Sequence, residues 1–120
     1  MKVYCKACHT ALTPDLRYLP YASLTNEEDD RPFLPQGYYW ISDGKCFANT
    51  GGRVVIHIDD LINTMRHSDP ERLQGCCGVS GCYGPNRICM QKHEVASEYS
   101  DCWMPHAIIF EKNAVYTIDY

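Results

Sequence analysis

Thiol and imidazole side chains dominate the chemistry that this sequence can offer. The 120 residues include 8 cysteines and 5 histidines, which by residue type are metal ligands or redox groups. Cys5-Lys6-Ala7-Cys8 has the spacing of a zinc-ribbon half-site, because two sulfurs separated by two residues can meet on one ion. We expect this N-terminal knuckle to bind metal.

The same Cys-x-x-Cys spacing occurs in thioredoxin-like redox sites, which place the pair where a strand ends and a helix begins. Here no strand of useful length precedes Cys5, and Thr10-Ala11-Leu12-Thr13-Pro14 follows the knuckle. The surroundings therefore favour metal binding over redox catalysis.

A second group of potential ligands lies nearer the C-terminus. It comprises Cys76, Cys77, Cys82, Cys89, Cys102 and two histidines at Cys-x-x-x-His spacing, His93 and His106. Consecutive side chains tend to point apart. We therefore expect Cys76 and Cys77 not to share an ion: one binds metal, and the other packs or serves a different ion.

Two ligand arrangements agree with these spacings. In the first, a single zinc ion ties the two ends of the chain together through Cys5, Cys8, Cys77 and Cys89. In the second, an additional ion takes ligands from Cys76, Cys102, His93 and His106. We prefer one ion, because four-sulfur sets are common closed structural zinc sites, and we leave the second site open.

The remaining cysteines and histidines have simpler interpretations. Cys46 and Cys82 are expected to be buried thiols, since free cysteine is among the most buried residue types. His57 is expected to be an ordinary half-exposed strand residue. His67 is expected at the C-terminal end of a helix, where the helix dipole favours a histidine, so it needs no role as a metal ligand.

The elements that must position these ligands indicate one α+β domain over residues 1–120. We expect antiparallel strands, one or two short helices and a zinc-ribbon-like region stapled by metal. The predicted segments are the knuckle (1–14), an irregular surface connection (15–37), a strand and helix body (38–74), a Cys/Gly-rich metal-binding segment (75–106) and a C-terminal hairpin (107–120).

Local composition predicts individual elements within that frame. Strand formers occupy residues 38–41, where a turn should lead into a hairpin with Cys46-Phe47, and β-branched or apolar runs at 53–58 and 107–110 indicate buried strands. Apolar spacing predicts a short helix over 61–67 capped by Asp59 or Asp60. A second short helix should begin at Pro70 with Asp69 or Ser68 as its cap.

Charge and hydropathy argue against several classes of function. The net charge is −4, and the 11 Lys and Arg residues never occur side by side, which argues against a nucleic-acid module. The apolar runs are far shorter than the roughly 20 residues that span a bilayer, and the N-terminus carries no signal-like apolar run. We therefore expect a cytoplasmic protein. Glu27-Glu28-Asp29-Asp30 is either a solvated loop or a docking site for a basic partner.

Catalytic patterns are sparse. Metalloprotease and deaminase spacings are absent, as are phosphate loops, nucleophile elbows and dinucleotide fingerprints. One enzymatic alternative remains, a zinc-dependent hydrolase built on Cys89, His93, Cys102 and His106, with Glu94 or Asp101 as base.

Binding is the preferred interpretation. We expect a structural zinc, or two, in a protein that binds another macromolecule. One form is an immunity- or adaptor-type protein that masks a basic partner with exposed aromatics around Tyr38, Tyr39 and Trp40.

Several distal motifs resemble one group of proteins. The motifs are Gly75-Cys76-Cys77-Gly78, Gly84-Pro85-Asn86 and Asp101-Cys102-Trp103-Met104-Pro105-His106. Together with the N-terminal knuckle, they resemble those of small, uncharacterised bacterial cysteine-rich proteins. The resemblance covers much of the chain and is weakest between residues 15 and 50. It implies a bacterial cytosolic protein and carries no catalytic role, since the group has no established activity.

Overall fold

Short strands make up most of the regular structure in residues 1–119, the part of the chain that this computed structural model describes. The strands are β1 (Lys2–Cys5), β2 (Arg17–Tyr18), β3 (Tyr38–Ile41), β4 (Val54–Ile56), β5 (Thr64–Arg66), β6 (Arg87–Cys89), β7 (Glu94–Tyr99), β8 (Ala107–Phe110) and β9 (Val115–Ile118). The helical elements are 3-10 turns at Ala22–Leu24, Ile58–Asp60 and Pro70–Leu73. The fold is mainly β, so the α+β prediction is only partly right.

The strands form two sheets. A 7-stranded sheet has the order β2-β3-β4-β8-β7-β6-β5, with antiparallel pairing except between β2 and β3. A 2-stranded antiparallel sheet joins β1 to β9. The first and last strands of the chain therefore pair with each other beside the larger sheet.

The centre of the larger sheet is buried on both faces, which explains its continuous apolar runs. Side chains alternate between faces along a strand. Ile108 and Phe110 of β8 accordingly pack in one apolar cluster, while Ala107 and Ile109 pack in another. The predicted buried strand at 107–110 is confirmed. The one predicted at 53–58 is confirmed only over Val54–Ile56, because the chain turns into a 3-10 helix at Ile58–Asp60.

Different parts of the chain cover the two faces. The first face packs against Val3, Leu12 and Leu16 from the N-terminal segment. The second packs against Phe33 and Leu34, and the Phe33 amide donates to the carbonyl of His106 at 2.9 Å. Residues 15–37 are therefore more than a surface connection, because they supply core side chains to both clusters.

The predicted helix over residues 61–67 is wrong. The chain makes a 3-10 turn at Ile58–Asp60, and β5 then pairs antiparallel with β6. Asn63 has a φ of 57°, a left-handed turn that ends any helical path. Of the expected apolar face, Leu61 is buried, but Ile62 and Met65 are each 39% exposed. Backbone hydrogen bonds to the edge of β6 therefore stabilise this segment more than burial of one helical face would.

The second predicted helix is one 3-10 turn, Pro70–Leu73. Its expected cap is present, since the Asp69 carboxylate accepts from the Glu71 amide at 3.0 Å. Among residues 1–119, no helix is long and apolar enough to cross a membrane.

Both predicted hairpins pair differently. β3 pairs with β4 and not with the segment at Cys46-Phe47. β8 and β9 form as strands but lie in different sheets. Both edges of β8 are already hydrogen-bonded, to β4 and to β7, so β9 finds its partner in β1.

Candidate metal centres

Four potential ligands from the two ends of the chain converge in what we call the four-ligand cluster: Cys5, Cys8, Cys89 and His93. Their ligand atoms all lie within 4.8 Å of one another. The Sγ atoms of Cys8 and Cys89 are 3.7 Å apart, and His93 Nδ1 lies 3.7 Å from Cys5 Sγ and 3.2 Å from Cys89 Sγ. Tetrahedral zinc at standard bond lengths separates two sulfurs by about 3.8 Å and a sulfur from a nitrogen by about 3.6 Å. The spacing therefore suits one tetrahedral ion.

A tight reversal after β1 presents the first two ligands. The Cys5 amide donates to the Thr10 carbonyl at 2.9 Å, and the His9 amide donates to the Cys5 carbonyl at 2.7 Å. His9 takes a left-handed φ of 62°, which lets the chain double back. Cys8 is thereby brought beside Cys5.

The connection between β6 and β7 presents the other two ligands in a similar way. The Lys92 amide donates to the Cys89 carbonyl at 2.8 Å, and the Cys89 amide donates to the His93 carbonyl at 2.9 Å. Lys92 has a φ of 67°, and the His93 amide points at Cys89 Sγ at 3.4 Å. An amide that donates to sulfur favours the thiolate that a metal needs.

Burial and hydrogen bonding set the charge of these thiols. Cys5 and Cys89 are fully buried, whereas Cys8 and His93 are half-buried. Burial raises the pKa of the Cys5 thiol. Hydrogen bonds from the Thr10 side chain and backbone lower the pKa of the Cys8 thiol to about 6. Cys8 therefore offers an anionic sulfur at neutral pH.

The four-ligand cluster lies where the two sheets meet. Cys5 ends β1 in the smaller sheet, while Cys89 ends β6 in the larger one. Both cysteines also belong to the apolar cluster that packs between the sheets. An ion bound here would cross-link the two sheets at the edge of that core.

A second group, which we call the three-cysteine cluster, consists of Cys76, Cys77 and Cys102, with all three sulfurs within 4.8 Å of one another. The Sγ atoms of Cys77 and Cys102 are 2.7 Å apart. Cys76 and Cys77 are exposed, and Cys102 is half-buried. This group offers three ligands and faces solvent.

The buried carboxylate of Asp101 organises the three-cysteine cluster. It accepts from the backbone amides of Cys76 and Cys77 at 2.9 Å each and from that of Cys102 at 2.8 Å. The indole Nε1 of Trp103 donates a further bond at 2.8 Å. These donors, the Cys77 amide foremost, hold the pKa of Asp101 well below its usual range.

Close backbone approach explains the two glycines of the Gly75-Cys76-Cys77-Gly78 motif. A Cβ atom on Gly75 would stand 1.8 Å from the Gly78 carbonyl oxygen, and one on Gly78 would stand 2.3 Å from the Ser100 carbonyl oxygen. Any side chain would therefore push this loop off Asp101.

The structure regroups the predicted ligands. Of the one-ion set Cys5, Cys8, Cys77 and Cys89, it brings three together and places Cys77 in the other cluster. His93 occupies the fourth position instead. Cys76 and Cys102 lie together with Cys77, so the expectation that Cys76 and Cys77 would not share an ion is not met: the loop that follows Gly75 brings both sulfurs within 4.8 Å of each other. His106 belongs to neither cluster, since its Nε2 lies 3.1 Å from the Asp101 carbonyl oxygen and 3.3 Å from the Asp30 carboxylate.

The ligand set of the hydrolase alternative is divided in the structure. Cys89 and His93 lie in the four-ligand cluster, and Cys102 lies in the three-cysteine cluster. The expected bases are also engaged elsewhere: Glu94 pairs with Arg72 and with His67 Nε2. Asp101 is occupied by its four N–H donors.

Cys82 is exposed, so its predicted burial is wrong, and Cys46 is half-buried. The two thiols line a cavity of about 460 Å³ next to Tyr99 and Trp103. Burial raises the pKa of Cys46 to about 11, which makes it a poor thiolate.

The two remaining histidines and the predicted aromatic surface also have definite places. His57 is half-buried, as expected, but it is not a strand residue: it follows β4 as the N-cap of the 3-10 turn at Ile58–Asp60. Its Nδ1 accepts from the Asp59 amide, and His67 Nδ1 accepts from the Asp69 amide, each at 3.0 Å. His67 therefore does not need the helix that was expected before it. The aromatics at 38–40 are half-buried, not exposed, and Trp40 packs on Phe33 with ring centroids 5.3 Å apart.

Two supporting residues have roles that the sequence does not indicate. Thr10 lowers the pKa of Cys8, yet the only indication of this in the sequence is its position two residues after Cys8. Asn86 is fully buried, and its side chain bonds to both the amide and the carbonyl of Glu98, at 2.6 and 3.0 Å. It thereby acts as an extra strand partner for β7, which gives the Gly-Pro-Asn motif a structural role.

Comparisons with known proteins give no match: no family model matches the chain, and no curated protein or solved structure does so either.

Proposed function

We propose that this chain is a small zinc-binding protein whose zinc is structural, and that it acts in the bacterial cytosol by binding another macromolecule. The observation that carries the zinc part is the convergence of three sulfurs and one imidazole nitrogen within 4.8 Å in the four-ligand cluster. Three Cys and one His form a common closed zinc site. Thiolate-rich sets also select against hard cations such as Mg²⁺ and Ca²⁺.

A structural role is favoured over a catalytic one by the closure of this cluster. A catalytic zinc keeps one position open for water or substrate, whereas here the protein supplies all four ligands and buries two of them, Cys5 and Cys89. The hydrolase alternative has less support, because its ligand set is divided between the two clusters.

The experiment that tests the structural zinc is elemental analysis of protein purified without added metal, with thermal unfolding in the presence and absence of a chelator. Cys8→Ser should lower the zinc content by about one ion per chain and lower the Tm. Cys46→Ser is the matched control, because Cys46 lies outside both clusters. Unchanged zinc and Tm in both Cys8→Ser and Cys89→Ser would overturn this part of the proposal.

The partner part of the proposal rests on the segment at residues 21–30. Glu27, Glu28, Asp29 and Asp30 are all exposed. Just before them, Tyr21 is 68% exposed and Leu24 is 46% exposed at the 3-10 turn. Negative charge beside exposed apolar side chains suits a basic partner, as in an immunity- or adaptor-type protein.

Charge reversal tests this surface. A co-purifying protein rich in Lys and Arg should stay bound to wild type and be lost from Glu28→Lys/Asp29→Lys, and raised salt should weaken its binding. Glu71→Lys, an exposed reversal elsewhere on the chain, should retain it. Retention by the double variant, or capture of an acidic partner only, would contradict the proposal.

A further inference from the structure

The three-cysteine cluster is not needed for the structural zinc, yet three thiols and a buried carboxylate are assembled there. We propose that Cys76, Cys77 and Cys102 form a second, open metal site that takes a thiophilic d¹⁰ cation, Zn²⁺ or Cu⁺. The three thiolates would be the protein ligands, and an exogenous ligand would complete the coordination shell. This site goes beyond the structural zinc, and its test is separable from that of the four-ligand cluster.

The first support is the convergence of soft ligands. All three sulfur atoms lie within 4.8 Å of one another, although Cys102 is far from the Cys76-Cys77 pair in sequence. Thiolates prefer soft cations, with Cu⁺ and Zn²⁺ the common mononuclear choices. On binding, each coordinating thiol loses its proton to solvent as a metal–sulfur bond forms, so the step involves no electron transfer.

The second support is a scaffold built to hold these cysteines in place. Asp101 fixes all three of their backbone amides at 2.8 to 2.9 Å, so one buried side chain sets the position of every proposed ligand. Gly75 and Gly78 permit this approach, because a Cβ atom on either would clash with backbone oxygen. Such positioning of ligand residues is the usual role of groups behind a metal site.

The third support is charge. A carboxylate just behind three thiols adds negative potential to the site, and this favours a bound cation. The Sγ atoms of Cys77 and Cys102 are 2.7 Å apart, so they would separate by about 1 Å to reach the sulfur–sulfur distance of a tetrahedral zinc site; a Cys77–Cys102 disulfide is the competing use of the cluster that the test below distinguishes.

The three-cysteine cluster is more exposed than the four-ligand cluster and has fewer ligands, so an ion bound there should exchange more readily. Cys76 and Cys77 face solvent, and the protein supplies three ligands instead of four. A three-ligand site can accept a fourth ligand from a small thiol or from a partner protein. The bound ion should therefore exchange readily, as metal transfer or metal sensing would need.

The test is an anaerobic metal titration of fully reduced protein, with Zn²⁺ and Cu⁺ in separate arms and a chromophoric chelator as competitor. Wild type should bind one ion that exchanges with the chelator, in addition to one that resists it. Trp103, bonded to Asp101 beside the cluster, gives a fluorescence signal for the exchangeable ion. The metal that binds more tightly as the exchangeable ion is the one that the site prefers.

Cysteine variants assign that ion to a site. Cys77→Ser and Cys102→Ser should lose the exchangeable ion and keep the resistant one, whereas Cys8→Ser should lose the resistant one. Cys82→Ser is the control, because Cys82 is an exposed thiol outside both clusters and should keep both ions. The inference is overturned if neither metal gives an exchangeable equivalent. It is also overturned if Cys77→Ser still binds the exchangeable ion. A third contradicting result would be a reduced protein that binds no second ion but forms a Cys77–Cys102 disulfide, detected by mass spectrometry, when a disulfide oxidant is added.

Discussion

The sulfur atoms of Cys8 and Cys89 lie 3.7 Å apart although 81 positions separate them in the sequence. Cys8 lies three residues after the end of β1, which belongs to the smaller sheet, and Cys89 ends β6 in the larger one. A tetrahedral ion at this junction would add a cross-link to the apolar packing that already joins the N-terminal segment to the larger sheet.

Two variants of His93 should show whether the zinc site needs a histidine at this position or only a fourth ligand of any kind. His93→Ala removes one ligand, so we expect loss of tightly held zinc and a fall in the free energy of unfolding of several kcal/mol, out of the roughly 5–15 kcal/mol typical of a domain. His93→Cys keeps a closed four-ligand set and should retain zinc and most of the stability. Zinc content and denaturant unfolding measure both. Equal loss in the two variants would contradict a ligand role for residue 93.

The Cys8 thiol should titrate at unusually low pH in metal-free protein. Hydrogen bonds from Thr10 lower its pKa from 9.0 to about 6. Because the folded-state pKa is depressed, the associated stability is present above the ordinary thiol pKa and is lost as the pH falls from about 9 through about 6. Alkylation of Cys8 followed by mass spectrometry should show a midpoint near the lower value.

Removal of the Thr10 hydroxyl should raise that alkylation midpoint by at least a pH unit. Thr10→Val is the test, because it keeps the shape of the side chain and loses the donor. Thr25→Val is the matched control, since the Thr25 hydroxyl bonds to the Ala22 carbonyl on an exposed turn. If Thr10→Val leaves the midpoint where it was, the hydrogen bond is not what lowers the pKa of Cys8.

The sequence predicted the N-terminal half of the four-ligand cluster for a physical reason. Cys5 and Cys8 are close in the chain, so their meeting on one ion depends on a single local turn. The distal half depends on tertiary pairing: the β6–β7 connection places His93 beside Cys89, while Asp101 draws Cys77 towards Cys102. The spacing of cysteines and histidines in the sequence does not show which strands pair, so it cannot predict which distal ligands come together.

The errors in secondary structure have a similar origin. Residues 61–67 have apolar spacing compatible with a helix, yet a segment of this length has little helical stability without a buried face. The free edge of β6 supplies backbone partners instead, and β5 forms there. The continuous apolar run of β8 was predicted correctly, because burial on both faces leaves a pattern that does not depend on its neighbours.

Asp101 should make the stability of the 75–78 loop sensitive to acid. Its pKa lies well below the usual value of about 3.9, because four N–H groups donate to the carboxylate. The corresponding stability is complete above about pH 4 and is lost as the pH falls further. Asp101→Asn should lower the Tm at neutral pH, since an amide has one acceptor oxygen, and should flatten the dependence of Tm on pH below about 4. A variant whose acid dependence matches wild type would rule out this role.

The backbone contact at Gly78 should make that position intolerant of any side chain. A Cβ atom there would stand 2.3 Å from the Ser100 carbonyl oxygen, which belongs to the backbone and cannot swing aside. Gly78→Ala should therefore cost about 1–3 kcal/mol of unfolding free energy, as overpacking typically does. Gly51→Ala is the matched control, since a Cβ atom at Gly51 meets nothing within 4 Å, and it should change stability by less than about 0.5 kcal/mol. Denaturant unfolding of the two variants decides the point. Equal stability would mean that the loop can move away from β7 at no cost, and that Asp101 does not hold it as closely as the four hydrogen bonds indicate.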